Sequence, residues 1–227
     1  MKMRAKIKMG LDIVMTILLL LQMGYHMFEE GIHKWLGIIL SVLFVVHHVL
    51  NWTWYRSIFK GKYSPARVFR TATNILLTLS MFGIMLSGMM LARDIFHFIP
   101  FKANSFARLL HMSATSWGFV LAALHMGQHF HIVAGKMKRR DIIKKPVWWS
   151  MRCVVAGISG YGWYAFINRE IGKHMLLTVQ FAFFEFGEPF TRFLLDYTAI
   201  MVLYAAISYY LLKFLTMWGK KKTSNGE

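Results

Sequence analysis

Cysteine, proline and acidic residues are scarce in this chain of 227 residues, and charged residues together make up only 16% of it. Soluble domains carry roughly 25% charged residues, so the composition argues against a domain surrounded by water. The single cysteine, Cys153, excludes an intramolecular disulfide, and the lack of a CxxCH motif excludes a covalent c-type haem site. No phosphate-binding loop, flavin-attachment motif or nucleophile–base pair is visible. We therefore expect no enzyme that acts alone.

Hydrophobic residues are abundant instead, at 56% of the chain, and they fall into six long apolar segments. Each segment is long enough to cross the roughly 30 Å of hydrocarbon in a bilayer. A backbone in lipid must satisfy its hydrogen bonds internally, so the segments are predicted to be helices. The segments are residues 10–28, 33–55, 70–92, 108–132, 150–168 and 193–217.

These segments predict one all-α integral membrane domain over residues 1–227, a bundle of about six transmembrane helices with short loops. The stretch 169–192 is apolar enough to touch membrane, yet a crossing there would make the number of spans odd. We expect it to be an external amphipathic segment. The N-terminal apolar run has no convincing small-residue cleavage site after it, which indicates an uncleaved first helix.

The charge of +17 is unevenly distributed. With a cytoplasmic N-terminus, residues 1–9, 56–70, 136–152 and 213–227 share one side and carry twenty of the 27 basic residues. On the opposite side, seven basic residues are balanced by seven acidic ones. Cytoplasmic loops are rich in Lys and Arg, so both termini are predicted to be cytoplasmic, in the inner membrane. Membrane topology and contact with anionic lipid explain the excess of basic residues in these loops, so binding to nucleic acid is not needed to explain it.

Four of the ten histidines form two pairs at the same spacing. His33 and His47 lie 14 residues apart in the second segment, and His111 and His125 lie 14 apart in the fourth. Fourteen residues are two heptads, so both members of a pair face one seam of a left-handed bundle, about 21 Å apart along the axis. The two helices run in the same direction, so His33 should meet His111 externally and His47 should meet His125 near the cytoplasm. Facing imidazoles are what a six-coordinate haem iron needs, so the spacing predicts two b-type haems.

Small and basic residues near these histidines suit such a site. Gly37 lies one turn after His33, and Gly118 lies midway between the histidines of the fourth segment, where a flat macrocycle could approach the helix. Arg108 and Lys34 are candidates to pair with external haem propionates. Weaker candidates on the cytoplasmic side are Arg56 and Arg139.

Two further histidines are alternative ligands for the inner site, so the sequence does not decide which pair binds there. His48 follows His47 directly, and His129 lies one turn beyond His125. Either is an alternate ligand, or lines a quinone or proton site. The equal spacing favours His47 and His125. His129, Glu188 and Asp196 are candidate proton acceptors for quinol chemistry.

A family resemblance emerges at these positions. The run GIHKWLG at 31–37, followed by HHVLNW at 47–52, resembles the flavinylation-associated membrane cytochrome family, formerly a domain of unknown function. The resemblance covers residues 10–135 best and implies a haem-binding core there, similar to the four-helix core of respiratory cytochrome b. The positions that match the family pattern are His33, His47, His48, Asn51, His111 and His125.

The resemblance implies electron transfer across the membrane, between quinol or a partner on one side and a flavin-bearing or other redox protein on the other. Lys34 stands where an acidic residue is more usual, and no motif ties the last two helices to the family. A haem-free transporter or metal permease is the main alternative, and it predicts carboxylates or thiols near the histidines. No acid lies in helices two to four, which favours haem. A third hypothesis, a passive anchor for a larger redox enzyme, overlaps the first.

Overall fold

The computed structural model describes residues 3–98, 100, 103–139, 144–180 and 187–224. The fold is all-helical, with 84% helix, and these residues contain no strand. They form eight α-helices and one 3-10 turn, Tyr25–Met27. The helices are α1 Met3–Gln22, α2 Glu30–Leu50, α3 Trp52–Ile58, α4 Pro65–Leu91, α5 Ser105–Arg139, α6 Lys145–Asn168, α7 Ile171–Met175 and α8 Phe190–Ser224.

Six of these helices correspond to the six apolar segments. Among the described residues, α2, α4 and the part Phe190–Gly219 of α8 are both long and apolar enough to cross a membrane. The other three, α1, α5 and α6, have 20, 35 and 24 residues, so at 1.5 Å per residue even α1 is about 30 Å long. Polar side chains lower the hydropathy of α5, which lies at the centre of the bundle.

The sequence predicts one continuous helix over residues 33–55. In the structure α2 ends before Asn51, so this prediction is wrong at its C-terminal end. The Asn51 side-chain amide donates to the His47 carbonyl at 2.9 Å, and its oxygen accepts a hydrogen bond from the Lys8 ammonium, also at 2.9 Å. An asparagine that bonds its own helix backbone competes with helix continuation. The chain then restarts as the short helix α3.

Helix α5 packs between α4 and α8, and α6 packs on the far side of α8. Two glycines allow backbones to touch at these contacts. A Cβ at Gly127 of α5 would lie 2.2 Å from the Ala205 carbonyl oxygen, and one at Gly162 of α6 would lie 2.3 Å from that of Ala199. Close approach through small residues is typical of helices in lipid.

Helices α1 and α2 form a hairpin at the edge of this group. Only Leu40 and Phe44 of α2 are buried, and they join the hydrophobic core. Trp35, Val42 and Val49 of the same helix are exposed, as are many large apolar side chains of α4 and α8. An apolar outer surface of this extent suits a lipid environment.

Part of the predicted external segment 169–192 is docked on the bundle. In α7, Ile171 is buried, and the Met175 carbonyl accepts hydrogen bonds from the Ser113 hydroxyl and the Trp117 indole of α5. The described beginning of this stretch therefore rests on protein. Glu185, which entered the charge balance, lies outside the described residues.

Candidate functional site

The two predicted outer histidines meet in the structure. The ring centroids of His33, from α2, and His111, from α5, are 6.5 Å apart, with the ring planes 74° from parallel. Helix α2 packs mainly on α1, and within the described residues no extensive contact joins it to α5, so these two helices meet here through their side chains. Metal–nitrogen bonds of about 2.0 Å on opposite sides of one iron put two imidazole centroids roughly 6 Å apart. The observed separation is close to that value.

The orientation of His111 is fixed by the neighbouring helix α4. The Ser87 hydroxyl lies 3.0 Å from His111 Nδ1 and donates its own hydrogen to the Gly83 carbonyl at 2.6 Å. A hydroxyl has one hydrogen, so Ser87 accepts from Nδ1–H, and the lone pair of His111 is on Nε2. This arrangement presents Nε2 for a metal. Facing it, His33 Nδ1 is buried and finds no hydrogen-bond partner in the part of the chain that the structure describes.

The inner histidines show the same pattern of an oxygen at Nδ1. His47 Nδ1 lies 2.8 Å from a carboxylate oxygen of Asp12 in α1. His125 Nδ1 lies 2.8 Å from the amide oxygen of Asn74 in α4. Both oxygens accept, so both rings carry Nδ1–H, and both Nε2 atoms are the basic nitrogens. Three of the four predicted ligands therefore have a partner on another helix that fixes the tautomer a metal ligand needs.

The two inner rings do not touch. No direct contact between His47 and His125 occurs in the described part of the chain; His125 Nε2 lies 3.1 Å from His129 Nε2 instead. Asp12, His47, His125 and His129 are still close enough to influence one another electrostatically. The inner site is thus a cluster, in which a ligand on His125 would displace the hydrogen bond to His129.

His48 is oriented differently from His47. Its Nδ1 lies 2.6 Å from the Tyr55 hydroxyl, and its ring packs edge-on against Phe44, with 4.2 Å between centroids. Its Nε2 is buried, and no described residue offers it a hydrogen bond. His48 therefore remains an alternate ligand on the strength of this nitrogen.

The predicted glycines face other helices. A Cβ at Gly37 would lie 2.8 Å from Gln22 Nε2 of α1, and one at Gly118 would lie 3.0 Å from Ile84 Cδ1 of α4. Helix packing accounts for both positions. The glycine beside the outer histidines is Gly88 of α4, where a Cβ would lie 3.6 Å from His111 Cε1.

The basic residues predicted to pair with propionates have mixed surroundings. Lys34 Nζ lies 2.7 Å from Asp94 and 2.6 Å from Glu30, so it is already paired. Its hydrogen bond holds the pKa of the exposed Asp94 carboxyl below its usual range. Arg108 is exposed, one turn before His111. Arg56 is also exposed, and the side chain of Arg139 lies outside the described residues.

Arg70 of α4 is an inner basic residue that the sequence reasoning did not single out. Its Nε is buried and has no hydrogen-bond partner among the described residues, and its charge acts on His129 and His131. The other missed residues are Asp12, Asn74 and Ser87. Each is a polar residue in an apolar helix, and this was the available signal, because such residues are costly in lipid and usually have a role.

Glu188 and Asp196 belong to a buried ion network beside the end of α6 and the beginning of α8. Arg169 donates to Glu188 Oε2 at 2.7 Å and to Asp196 Oδ2 at 2.9 Å. His26 Nε2, from the turn after α1, lies 3.3 Å from Glu188. The Arg169 hydrogen bond lowers the pKa of Glu188, which makes this carboxylate a weak proton acceptor. The network therefore has a structural explanation, and His129 is the remaining proton-acceptor candidate.

No group of three or more His, Cys, Asp or Glu side chains in the described ranges is arranged to hold one metal ion. Haem iron needs only two protein ligands, so the paired histidines fall outside that criterion. Comparison of the chain with known protein families, with curated proteins and with solved structures found no match.

Proposed function

We propose that the chain is a di-haem b-type membrane cytochrome. It moves electrons across the cytoplasmic membrane, between a quinone pool or another redox partner and an extracytoplasmic redox protein such as a flavoprotein. In this proposal the chain is the electron-transfer subunit of an oxidoreductase system. The six long helices span the membrane with both termini cytoplasmic, which is the orientation that the charge asymmetry favours.

One observation carries the proposal: the rings of His33 and His111 face each other 6.5 Å apart, centroid to centroid, although they come from two helices that are not closely packed. Neutral imidazoles deep in a bundle need partners, and hydrogen bonds between helices are the ordinary explanation. Among the described residues no hydrogen bond joins His33 to His111, and His33 Nδ1 is buried without a hydrogen-bond partner there. A group held between them accounts for the arrangement.

The residues would share the work as follows. His33 and His111 would hold the outer haem, and His47 and His125 the inner one, with His48 and His129 as alternates. Haem supplies reversible one-electron chemistry at the iron, while the protein sets ligation, burial and spacing. Ser87, Asp12 and Asn74 would keep the Nε2 lone pairs directed away from their own helices. About 21 Å of helix axis separates the two sites.

A haem-free metal permease is the second candidate, and the Asp12–His47 contact is the observation that favours it. A carboxylate beside an intramembrane histidine is what that hypothesis predicts. Metal analysis of the protein purified from haem-replete membranes separates the two. Stoichiometric zinc or copper without haem supports the permease, and iron in the form of haem supports the cytochrome.

Substitution of the outer ligands tests the cytochrome directly. We expect His33→Ala and His111→Ala each to remove one of about two b haems per chain, measured as pyridine haemochrome, because the inner site is independent. The matched control is His97→Ala, an exposed histidine in the α4–α5 loop, which should keep both haems. Retention of both haems in the two ligand variants would refute the assignment, and equal loss of both would refute separate sites.

A further inference from the structure

A groove runs between the beginning of α4 and the end of α8. Its volume is about 710 Å³, and Pro65 approaches within 3.9 Å of a Cβ built on Gly219 at its base. The α3–α4 loop forms one wall and α8 forms the other. The residues that matter for its chemistry are Lys62, Tyr63, Ser64, Val68, Leu215 and Trp218.

The loop wall is held in a fixed shape by Arg67. This guanidinium donates to the Ser57 carbonyl at 2.7 Å and to the Lys62 carbonyl at 3.2 Å, and it stacks over the Tyr63 ring at 4.2 Å from the centroid. Gly61 turns the chain with φ of +77°, a conformation that favours glycine. The rim of the groove is therefore preformed and does not depend on a ligand to order it.

The charge around the groove is of one sign. All five charged residues in the range 56–70, which includes the loop wall, are basic, and Lys62 among them lines the groove. Ser64 accepts the Arg67 N–H through its hydroxyl oxygen, which leaves its hydroxyl hydrogen to donate to an acceptor. This rim suits a phosphate group.

The floor of the groove is apolar and accessible. Val68 and Trp218 are 50% and 54% exposed, and both line the groove together with Lys62. A soluble anion would not need such a floor, and a neutral lipid would not need the basic rim. Tyr63 and Trp218 are the side chains that prefer the headgroup depth of a membrane.

We propose that this groove binds one anionic phospholipid, with its phosphate beside Lys62 and Ser64 and an acyl chain along Val68, Leu215 and Trp218. Charge complementarity and the apolar floor together identify the occupant as a lipid. The proposal does not depend on haem, so it stands or falls separately from the proposed function.

Native mass spectrometry of the detergent-purified chain tests it, with phosphatidylglycerol and phosphatidylcholine of identical acyl chains. We expect phosphatidylglycerol to bind more tightly, and Lys62→Gln to weaken that binding roughly fivefold. Lys60→Gln is the control, because this substitution removes the same charge from the same loop. Lys60 is exposed and is not among the residues that line the groove. It should change binding by less than about twofold.

Fluorescence adds a second readout of position. Phosphatidylglycerol with brominated acyl chains should quench Trp218, and Trp218→Phe should remove that part of the quenching. Three results would overturn the proposal: equal binding of phosphatidylcholine, an equal effect of Lys60→Gln and Lys62→Gln, or displacement of the lipid by millimolar inorganic phosphate.

Discussion

At the scale of single residues, the feature that recurs is an oxygen at the Nδ1 atom of a histidine. Asp12, Asn74 and Ser87 supply it to His47, His125 and His111, at 2.8 to 3.0 Å. Spacing along the sequence could predict that His33 and His111 would meet, because helix geometry carries a 14-residue repeat to one face. It could not predict these oxygens, since each contact joins two different helices, 24 to 51 residues apart.

Asp12→Ala should weaken the inner haem selectively. Loss of the oxygen frees the His47 ring to rotate and change tautomer, and such losses cost about 10- to 100-fold in metal affinity. Haem titration into the haem-depleted protein measures this change. The control is Thr16→Ala, one turn away on α1, where the hydroxyl bonds only the Asp12 carbonyl. If both substitutions lowered the haem affinity equally, the effect would come from a disturbed α1 helix and not from the Asp12–His47 hydrogen bond.

Arg70→Gln should lower the midpoint potential of one haem while both haems remain. A positive charge near a haem opposes the further positive charge of ferric iron, so its removal favours the oxidised form. Redox titration followed by absorption measures the shift. Arg56→Gln is the comparison, because Arg56 was the candidate suggested by the sequence and is exposed. A larger shift of the midpoint potential in Arg56→Gln than in Arg70→Gln would show that Arg56 is the basic residue closer to the haem.

At the scale of helices, the apolar segments located all six long helices, but their ends moved. Asn51 stops α2 through side-chain contacts with Lys8 and with its own backbone, which hydropathy cannot register. The sequence also indicated small residues for close packing, and packing turned out to explain Gly37 and Gly118 as well. A glycine alone does not reveal which neighbour it faces.

Gly162→Ala should destabilise the protein, by about 1–3 kcal/mol, because the new Cβ meets the backbone of α8. Thermal unfolding in detergent measures the change. Gly157→Ala, on the same helix, is the control: nothing lies within 4 Å of its Cβ position, so the better helix propensity of Ala should stabilise it by up to about 1 kcal/mol. Destabilisation of equal size at both positions would contradict the α6–α8 contact.

At the scale of the whole molecule, the ion network around Arg169 ties the end of α6, the beginning of α8 and the turn after α1 together. The side chain of Glu188 is fully buried there. Arg169→Ala would remove the cation shared by two buried carboxylates and leave Glu188 with His26 and Arg192 and Asp196 with the Tyr161 hydroxyl, so we expect a loss of roughly 3 kcal/mol in the free energy of unfolding. Lys173→Ala breaks only the exposed pair with Glu170, and should cost less than about 1 kcal/mol.

The same network predicts a dependence of stability on pH. The pKa of Glu188 is lower in the folded protein than its ordinary value, near 4.3, because of Arg169. The ionised Glu188 therefore contributes fully to the free energy of unfolding at pH values above its ordinary pKa. This contribution is lost as the pH falls through the lower pKa of the folded protein. At pH values below about 4 the melting temperature should decrease. In Glu188→Gln this decrease should be smaller. An unchanged drop in Glu188→Gln would assign the acid sensitivity to other carboxyl groups.

The central claim is that two haems lie between the histidines of α2 and α5, and absorption spectroscopy of the unmodified protein tests it most directly. The protein should be purified from haem-replete membranes, and a reduced-minus-oxidised spectrum recorded together with pyridine haemochrome quantitation. The account predicts b-type bands and about two haems per chain. A folded protein without haem under these conditions would contradict it.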